Sequence, residues 1–487
     1  EVFKGPNAFL NGASPTGTGL GGNVNLQPKR AGDTPTRRYT QDISSDGRLG
    51  EHLDLGQRFG VDNRFGVRLN LSQREGETAV DDQDQRSKLF MIGLDYRGDN
   101  FKLSTDFGYQ KQRVNHMRNS VRLGAGLTDI PRAPDADHNY GQEWAWTETE
   151  DTFGMVRGDY DFNDNWSGYL AGGAKHTHEN GFYGTPILTD SSGAATIGGS
   201  KIPHNEDNTT FMGGINGRFQ TGPLSHQLNI GAASIWTQQE NAFVFYNSQD
   251  TNIYHTDPLP KPTTPTFVGG KLDDPGVTGK TRNRSIAISD TVGLFDDTLL
   301  LTAGVRRQQL RVEGYAYDGE GADAGRNAFY DEAVTTPVYG IVYKLNPSIS
   351  LYANRIEGLA QGATASGQVI NAGEVFAPAE TKQVEAGVKF DYQHFGANLA
   401  VYRIERPTDG FVQGNVFVQD GEQINKGVEL SVFGEPIAGL RLMAGGTRMD
   451  TELKNTLDGS NDGNHAVGVP TFQLNASVDW DVPGLEG

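Results

Sequence analysis

The sequence predicts an all-β fold, a transmembrane antiparallel β-barrel entered by the closing part of a plug domain. Three observations predict it. Apolar and polar residues alternate with period two over runs of roughly ten residues, the length of a tilted membrane-crossing strand. Short and long connections alternate along the chain. A glycine-rich stretch of different character precedes the repetitive part.

The alternation begins near Thr36. Phe65, Val67, Leu69 and Leu71 share one face, and Gly66, Arg68, Asn70 and Ser72 share the other. Phe101, Leu103, Thr105, Phe107 and Tyr109 oppose Lys102, Ser104, Asp106 and Gly108. The pattern returns at Leu228, Ile230, Ala232 and Trp236, and again at Val384, Ala386, Val388 and Phe390. Its last occurrence is Phe472, Leu474, Ala476, Val478 and Trp480 against Gln473, Asn475, Ser477 and Asp479. Strands of a soluble sandwich are shorter, about 5–6 residues, so length favours lipid outside and polar groups inside.

The connections sort by length. Short ones carry turn formers: Val61-Asp62-Asn63, Gly98-Asp99-Asn100, Asn163-Asp164-Asn165, Thr221-Gly222-Pro223, Asp296-Asp297, Asn346-Pro347-Ser348 and Gly434-Glu435-Pro436. Between them fall long polar segments at 73–88, 113–143, 179–208, 239–282, 313–334, 357–379, 406–423 and 448–470. Only an early tight hairpin near Asp46-Gly47 departs from the alternation. Brief periplasmic turns and extended outer loops are the wiring of an outer-membrane barrel. The runs between connections number about 18, within the size range of such barrels.

Composition agrees. The 487 residues include 64 Gly, 24 Phe and 17 Tyr, a supply suited to many turns and aromatic belts. A net charge of −19 argues against binding nucleic acid, which needs basic surface for its phosphates. There is no cysteine, hence neither disulfide nor thiolate chemistry. No run of about 18 apolar residues supplies a transmembrane helix. The mean hydropathy of −0.53 is still compatible with a barrel, because half of each strand faces the lumen.

The opening stretch runs from Glu1-Val2-Phe3-Lys4-Gly5-Pro6 through Leu10-Asn11-Gly12 to Gly21-Gly22-Asn23-Val24-Asn25-Leu26 and Pro28-Lys29-Arg30. Gly17-Thr18-Gly19-Leu20-Gly21-Gly22 matches G-x-G-x-x-G, but a dinucleotide site needs a helix after it. A strand-like segment follows instead, so the glycines read as a tight turn.

These residues resemble the plug end of the TonB-dependent siderophore receptors. Ser350-Leu351-Tyr352-Ala353-Asn354, the run Phe376-Ala377-Pro378-Ala379-Glu380-Thr381-Lys382-Gln383-Val384-Glu385-Ala386-Gly387-Val388-Lys389, and Asn425-Lys426-Gly427-Val428-Glu429-Leu430 resemble that family's barrel motifs. So does Gly463-Asn464-His465-Ala466 leading to Val469-Pro470. The family commonly has tyrosine where Asn11 stands, and often a shorter glycine loop. The resemblance implies a plug end at 1–35, with Gly5, Pro6, Asn11, Gly12, Gly21, Gly22 and Asn25 as its motif, and a barrel at 36–487. The family barrel has about 22 strands. The chain is therefore expected to be a fragment lacking the last barrel strands and most of the plug, including the segment that engages TonB.

The implied function is uptake of a ferric siderophore across the bacterial outer membrane, driven by the TonB complex of the inner membrane. A barrel this wide needs a plug, and ligand binding followed by plug movement admits cargo without a standing hole. The expected partners are the ferric siderophore, TonB and outer-membrane lipid, with the chain a monomer. No cofactor is expected, iron entering only inside its siderophore. No catalytic residue is expected either, since neither G-x-S-x-G nor a Walker loop is present.

Aromatic residues of the outer loops are the candidate ligand contacts: Trp144, Trp146, Phe182, Tyr183, Phe243, Phe245, Tyr246, Tyr254, Tyr315, Tyr317, Phe329 and Tyr330. Apolar walls with a few placed polar groups suit an organic ligand shell, and arginine suits its frequent negative charge. The same rings also suit the girdle at the membrane interface. Tyr315 and Tyr317 are expected at the ligand mouth. His176 and His178 share a strand face, and His204 and His255 lie in loops. Without an evident third converging ligand they do not make a metal site. Asp81, Asp82 and Asp84 lack calcium-loop spacing and read as a solvated loop. The competing readings are a passive porin, a soluble sandwich or adhesin, and TonB-dependent uptake of cobalamin or an oligosaccharide.

Overall fold

The computed structural model describes residues 2–4, 21–125, 127, 129–317, 325–360, 362–363, 365, 369–371, 374, 376–408 and 410–482. Gly5, Pro6, Asn11 and Gly12 of the plug motif lie outside the described residues.

Strands β1 (Val2–Lys4) and β2 (Gly22–Val24) pair antiparallel as a small sheet of their own. A strand therefore follows the glycine stretch where a nucleotide site would need a helix. The barrel wall opens with β3 (Thr36–Ser44), β4 (Arg48–Phe59), β5 (Phe65–Glu77), β6 (Asp84–Arg97) and β7 (Phe101–Asn115). The short β8 (Arg122–Leu123) lies in the next outer loop. Wall strands β9 (Trp146–Asn163) and β10 (Trp166–Leu188) follow, and β11 (Ala194–Lys201) folds back along the top of β10.

The wall continues with β12 (His204–Thr221) and β13 (Leu224–Asn241), then is interrupted by the outer strands β14 (Phe243–Asn252) and β15 (Pro265–Gly269). It resumes with β16 (Gly276–Leu294), β17 (Leu299–Tyr315), β18 (Arg326–Asn346), β19 (Ile349–Ala360), β20 (Ala379–Tyr392) and β21 (Phe395–Pro407). A small hairpin, β22 (Phe411–Gln413) and β23 (Val416–Val418), precedes β24 (Glu422–Ile437), β25 (Leu440–Lys454) and β26 (Phe472–Trp480).

Strand order is that of a barrel in which β26 comes round towards β3. Residue-by-residue ladders join each wall strand to the next from β3 to β26. Among the described residues no such ladder joins β26 to β3. Every side chain of β26 is exposed.

Register sorts the two faces. Asp54 stands opposite Asn70, Gly66 opposite Asp95, and Gly93 opposite both Arg68 and Asp106, so these share one face. That face is buried: Asp54, Arg58, Asn70 and Asp106 are enclosed, as are Asn283, Gln308, Thr336 and Gln383 further round. The opposite face carries exposed Phe65, Phe107, Leu170, Phe211, Ile286, Val401 and Leu474. A water-soluble protein arranges these classes the other way round, so the exposed apolar belt faces lipid and the polar face lines the lumen. Aromatic Phe65, Tyr96, Phe101, Tyr160 and Phe162 sit beside the short turns, where a membrane-interface girdle belongs.

The turns form for local reasons. Asp46, Asp62, Asn63, Asp296 and Asp297 all adopt positive φ between 53° and 62°. Asp and Asn tolerate this conformation because their short polar side chains bond locally. The long segments hold more strand than their polarity suggests. The strands β10, β16 and β18 run well into them, and β8, β11, β14 and β15 lie wholly within. Above the membrane no lipid demands an apolar face, so the period-two signal weakens while the backbone ladder continues.

Candidate functional site: a plug-side anchor below an aromatic rim

Residues 29–33 hand the chain from the plug side to β3, and they are bound to the lumenal face of β4–β7. Lys29 Nζ lies 3.1 Å from Asp54 Oδ2. Arg68 grips the same carboxylate, donating from Nε at 2.6 Å and Nη2 at 2.7 Å. Arg30 donates through both terminal nitrogens to Asp106, at 2.5 and 2.6 Å. Ala31 has no exposed surface. Its carbonyl accepts from Arg58 Nη1 at 3.1 Å and Arg97 Nη2 at 3.3 Å. Arg58 also reaches Asp95 at 2.7 Å, and Arg97 reaches Asp33 at 3.1 Å.

Two-pronged arginine–carboxylate pairs fix geometry as well as charge. The Asp106 side chain is fully enclosed and that of Asp54 nearly so, hence each carboxylate needs its cation. Gly93 makes room: a Cβ there would stand 2.7 Å from Arg30 Nη1 and 3.1 Å from Asp106 Oδ1. The anchor sits in the periplasmic half of the lumen, close to the turns after β4 and β6. Upstream of it, Val24 and Leu26 are exposed rather than packed. Contact with the inner wall is thus made by residues 29–33, upstream of which the chain turns away from it.

The opposite end of the barrel carries a built rim. The hairpin β10–β11 extends above the wall and β14 and β15 add to it, with β8 paired in parallel to the tip of β10. Leu188, Ala195 and Ile253 form its small core, with Tyr140 and Tyr254 packed against them.

Side-chain amides tie the loops together, Asn139 and Gln142 from buried positions. Gln142 donates to Asp257 O at 3.2 Å and accepts from Leu259 N at 2.8 Å. Asn139 donates to Asp81 O and His116 O, both at 2.9 Å. Asn371 clasps Phe417 by donating to its carbonyl and accepting from its N–H, each at 2.9 Å. These amides were not among the sequence candidates. Asn and Gln are ordinary in solvated loops, and only the fold shows that these replace backbone partners.

The candidate aromatics divide. On one face of the rim sheet, Trp144 meets Phe182 edge-on at 5.3 Å, and Phe182 meets Tyr246 at 5.3 Å. Lys261 Nζ stands 4.1 Å above the Phe182 ring. Register puts Phe243 and Phe245 on the other face. There Phe243 contacts Phe245 at 5.2 Å, Phe267 at 5.5 Å and Tyr317 at 4.8 Å.

The remaining candidates stay apart from these clusters. Arg113 covers Trp146 at 4.2 Å. The hydroxyl of Tyr183 donates to Glu179 at 2.7 Å. Tyr254 donates to the Arg132 carbonyl. Tyr315 donates to Glu313 at 2.6 Å, on the side of β17 that continues the lipid-facing row. Phe329 lies under Arg326 at 4.4 Å, and Tyr330 is buried between Leu310 and Leu359.

The histidines pair individually, His176 with Asp207 and His178 with Asn205, each at 2.7 Å. Among the described residues no three metal-ligating side chains converge.

One rim turn is built on a carboxylate held in its charged form. The Asp190 carboxylate accepts from the Ser192 hydroxyl at 2.7 Å and from the N–H groups of Ser192 at 2.8 Å and Ala194 at 3.2 Å. The Ser192 hydroxyl, then these N–H groups, hold its pKa below the usual carboxylate range. A depressed folded pKa stabilises the turn above the unfolded value, and that contribution is lost as pH falls through the folded one. Amide exchange at Ser192 and Ala194 is therefore expected to quicken below about pH 4, beyond the intrinsic trend. Unchanged protection in that range would show that the carboxylate does not hold the turn.

The family described as TonB dependent receptor-like, beta-barrel matches residues 95–487. The chain belongs to this TonB-dependent receptor family. It is 44% identical to the ferrichrome receptor FcuA of Yersinia enterocolitica, over the whole chain and 64% of that receptor. This TonB-dependent barrel thus spans less than two thirds of the length of that relative. The crystal structure of BauA, the ferric preacinetobactin receptor from Acinetobacter baumannii, superposes with a TM-score of 0.88 at 34% identity, covering 99% of the chain and 71% of BauA. The Pseudomonas aeruginosa receptor FpvA bound to a pyoverdine–iron complex has a TM-score of 0.80 at 18% identity, covering 99% and 63%, and shows the shared fold. The chain is a TonB-dependent receptor barrel of the bacterial outer membrane.

Proposed function

We propose that this chain forms the barrel and plug end of a receptor that binds a ferric siderophore at its extracellular mouth and imports it through TonB-driven movement of the plug. The observation that carries this reading is the pairing of two features within one barrel. A charged anchor holds the plug-side segment to the lumenal wall, and an aromatic, cation-bearing rim stands at the far end. Relatives at 44% and 34% identity are named for ferrichrome and ferric preacinetobactin.

The chemistry is binding and displacement. The siderophore brings its own oxygen ligands to iron, so the receptor supplies aromatic faces and cations instead of metal ligands. Trp144, Tyr246 and Lys261, packed on the buried Phe182, form one such surface, and Phe243, Phe245 and Tyr317 another. Residues 29–33 stay on the wall while the plug upstream of Lys29 shifts. No bond is made or broken in the cargo, and the receptor works as a monomer in outer-membrane lipid.

The test is titration of the full-length receptor in detergent, read by tryptophan fluorescence, with ferrichrome, a ferric catecholate and cobalamin. Saturable binding of a ferric siderophore is expected, and alanine at both Phe243 and Tyr317 should weaken it about tenfold or more. Binding of cobalamin alone, or of none of the three, would overturn the reading.

A further inference from the structure

Register carries the lumenal side of the wall up into the rim. Asp106 stands opposite Met155, and Asp151 opposite Thr177, so Lys175, Thr177 and Glu179 line the lumen on β10. Thr177 stands opposite Glu206, and Glu206 opposite Gln239, which extends the row over β12 and β13. Above Glu179 on the same side is Tyr183, opposite Ser200, and Ser200 is opposite Phe245. Phe245 and its ring partners Phe243 and Tyr317 therefore form an aromatic wall on the lumenal side, above Glu179 and Glu206.

Neither carboxylate is neutralised. Glu206 accepts from Asn208 Nδ2 at 2.7 Å and Gln239 Nε2 at 2.8 Å, and Glu179 from the Tyr183 hydroxyl at 2.7 Å. These donors are uncharged, and neither glutamate has an ion-pair partner among the described residues. The lumenal Lys175 pairs with Asp151 at 2.9 Å, and His204, opposite Glu179, bonds Asn241 at 2.7 Å. Lys201 stands opposite Phe182, and Lys261 lies over the Phe182 ring, both on the other face of the rim. Arg48 and Arg74 also line the lumen, but on β4 and β5, several strands round the wall. On the outer side of the neighbouring strands, by contrast, Glu148 has Lys111 at 2.8 Å and Arg113 at 3.5 Å.

Half-buried carboxylates act over a longer range than fully solvated ones, because less water screens them. Gln239, opposite Glu206, lies close below Phe243 in the chain, so cargo on the aromatic wall comes within about 13 Å of Glu206. The negative faces of the rings act in the same direction, favouring a cation over an anion. Iron(III) held by three hydroxamates is neutral overall, whereas three catecholates leave the complex strongly anionic.

We propose that Glu179 and Glu206 select cargo by charge, favouring neutral and cationic ferric complexes over anionic ones. This deepens the siderophore reading and rests on it. An anionic complex brought to Phe243 and Tyr317 meets two carboxylates and no compensating cation on that wall. A ferric trihydroxamate meets no such penalty, and one that carries a free ammonium group is attracted. Tyr183, Asn208 and Gln239 fix the carboxylates in place while leaving their charge uncancelled.

The experiment uses ferrichrome and analogues of it in which one ring glycine is replaced by lysine, glutamine or glutamate. The analogues share the iron centre and differ by single steps of charge. Each is titrated into the full-length receptor in detergent and read by tryptophan fluorescence. In the wild type, affinity should fall about fivefold from lysine to glutamine and again to glutamate, and the spread should narrow at high salt. In E179Q/E206Q, checked for folding by heat-modifiable gel migration, the three affinities should converge to within about twofold. The wild-type series and its salt dependence test the filter even where that variant does not fold. Equal affinities in the wild type, or tightest binding of the glutamate analogue, would overturn the proposal and leave the siderophore reading standing. So would an unchanged spread in the folded variant, or loss of all three analogues while ferrichrome binds. If ferrichrome and the analogues all fail to bind, the siderophore reading falls and the charge filter with it.

Discussion

Replacing Arg30 with alanine is expected to detach the plug-side segment from the wall and make the barrel leak. The substitution leaves Asp106, whose side chain has no exposed surface, without its two-pronged partner. Stranding one member of a buried pair costs about 3–5 kcal/mol, and the partial exposure of Arg30 places this case near the lower end. The contacts left are weaker: Lys29 is more than half exposed, Asp54 is already satisfied by Arg68, and Arg58 and Arg97 hold residues 31–33 through the Ala31 carbonyl and the exposed Asp33. Cells producing R30A in the full-length receptor should admit a large hydrophilic antibiotic that the wild type excludes.

The double variant R30A/D106N should leak less than R30A alone, since removing both charges removes the stranded one. Equal leakage in the two would show that steric filling, not the ion pair, seals the lumen. Gly93 gives an independent check. Valine there would drive a side chain into Arg30 and Asp106, and should produce the R30A phenotype without altering either charge.

Replacing Phe182 with alanine is expected to loosen the whole rim. Phe182 is only 3% exposed and lies at the centre of the contacts with Trp144, Tyr246 and Lys261. Truncating a buried phenylalanine costs about 3–5 kcal/mol. The loss falls on β10, β11 and β14 above the membrane, because the wall below is held by its own ladders. Hydrogen exchange should rise at residues 182–188, 195–201 and 243–251 and stay unchanged at 166–179. Ferric-siderophore affinity should fall with it. Exchange that is unchanged at the rim, or raised equally in the wall, would refute the view that Phe182 centres a separable outer structure. Tyr315 is the contrasting site. It lies beside Glu313 on the outer side of β17, and alanine there should leave rim exchange untouched.

Much of the fold was legible because the membrane imposes a rule on the sequence. Within the bilayer one face of each strand must be apolar and the other polar, so Phe65 to Ser72 or Phe472 to Asp479 announces both a strand and its orientation. The turns were legible for a different reason, since Asp62-Asn63 and Asp296-Asp297 are residues that tolerate positive φ.

Above the membrane neither constraint acts. The top of β10 and the strands β11 and β14 pack against one another within the rim instead of against lipid, and their glycine-rich and polar residues look like loop. The site was only partly legible for the same reason. Aromatic residues in outer segments could be picked out, but not that Phe182 would join Trp144 while Tyr315 would stand apart. The anchor was the largest omission. Arg30 and Asp106 are far apart in sequence: Arg30 stands ahead of the first wall strand, and Asp106 is an ordinary charge on an alternating face. Only the fold, which lays Arg30 across Gly93 beside Asp106, shows that they pair.

The most direct test of the central claim is uptake of radioactive iron, supplied as ferrichrome, by cells carrying the full-length receptor as their only outer-membrane route for it. Saturable uptake is expected, abolished when TonB is deleted and strongly reduced by R30A. Uptake that survives loss of TonB would identify an open channel and contradict the account.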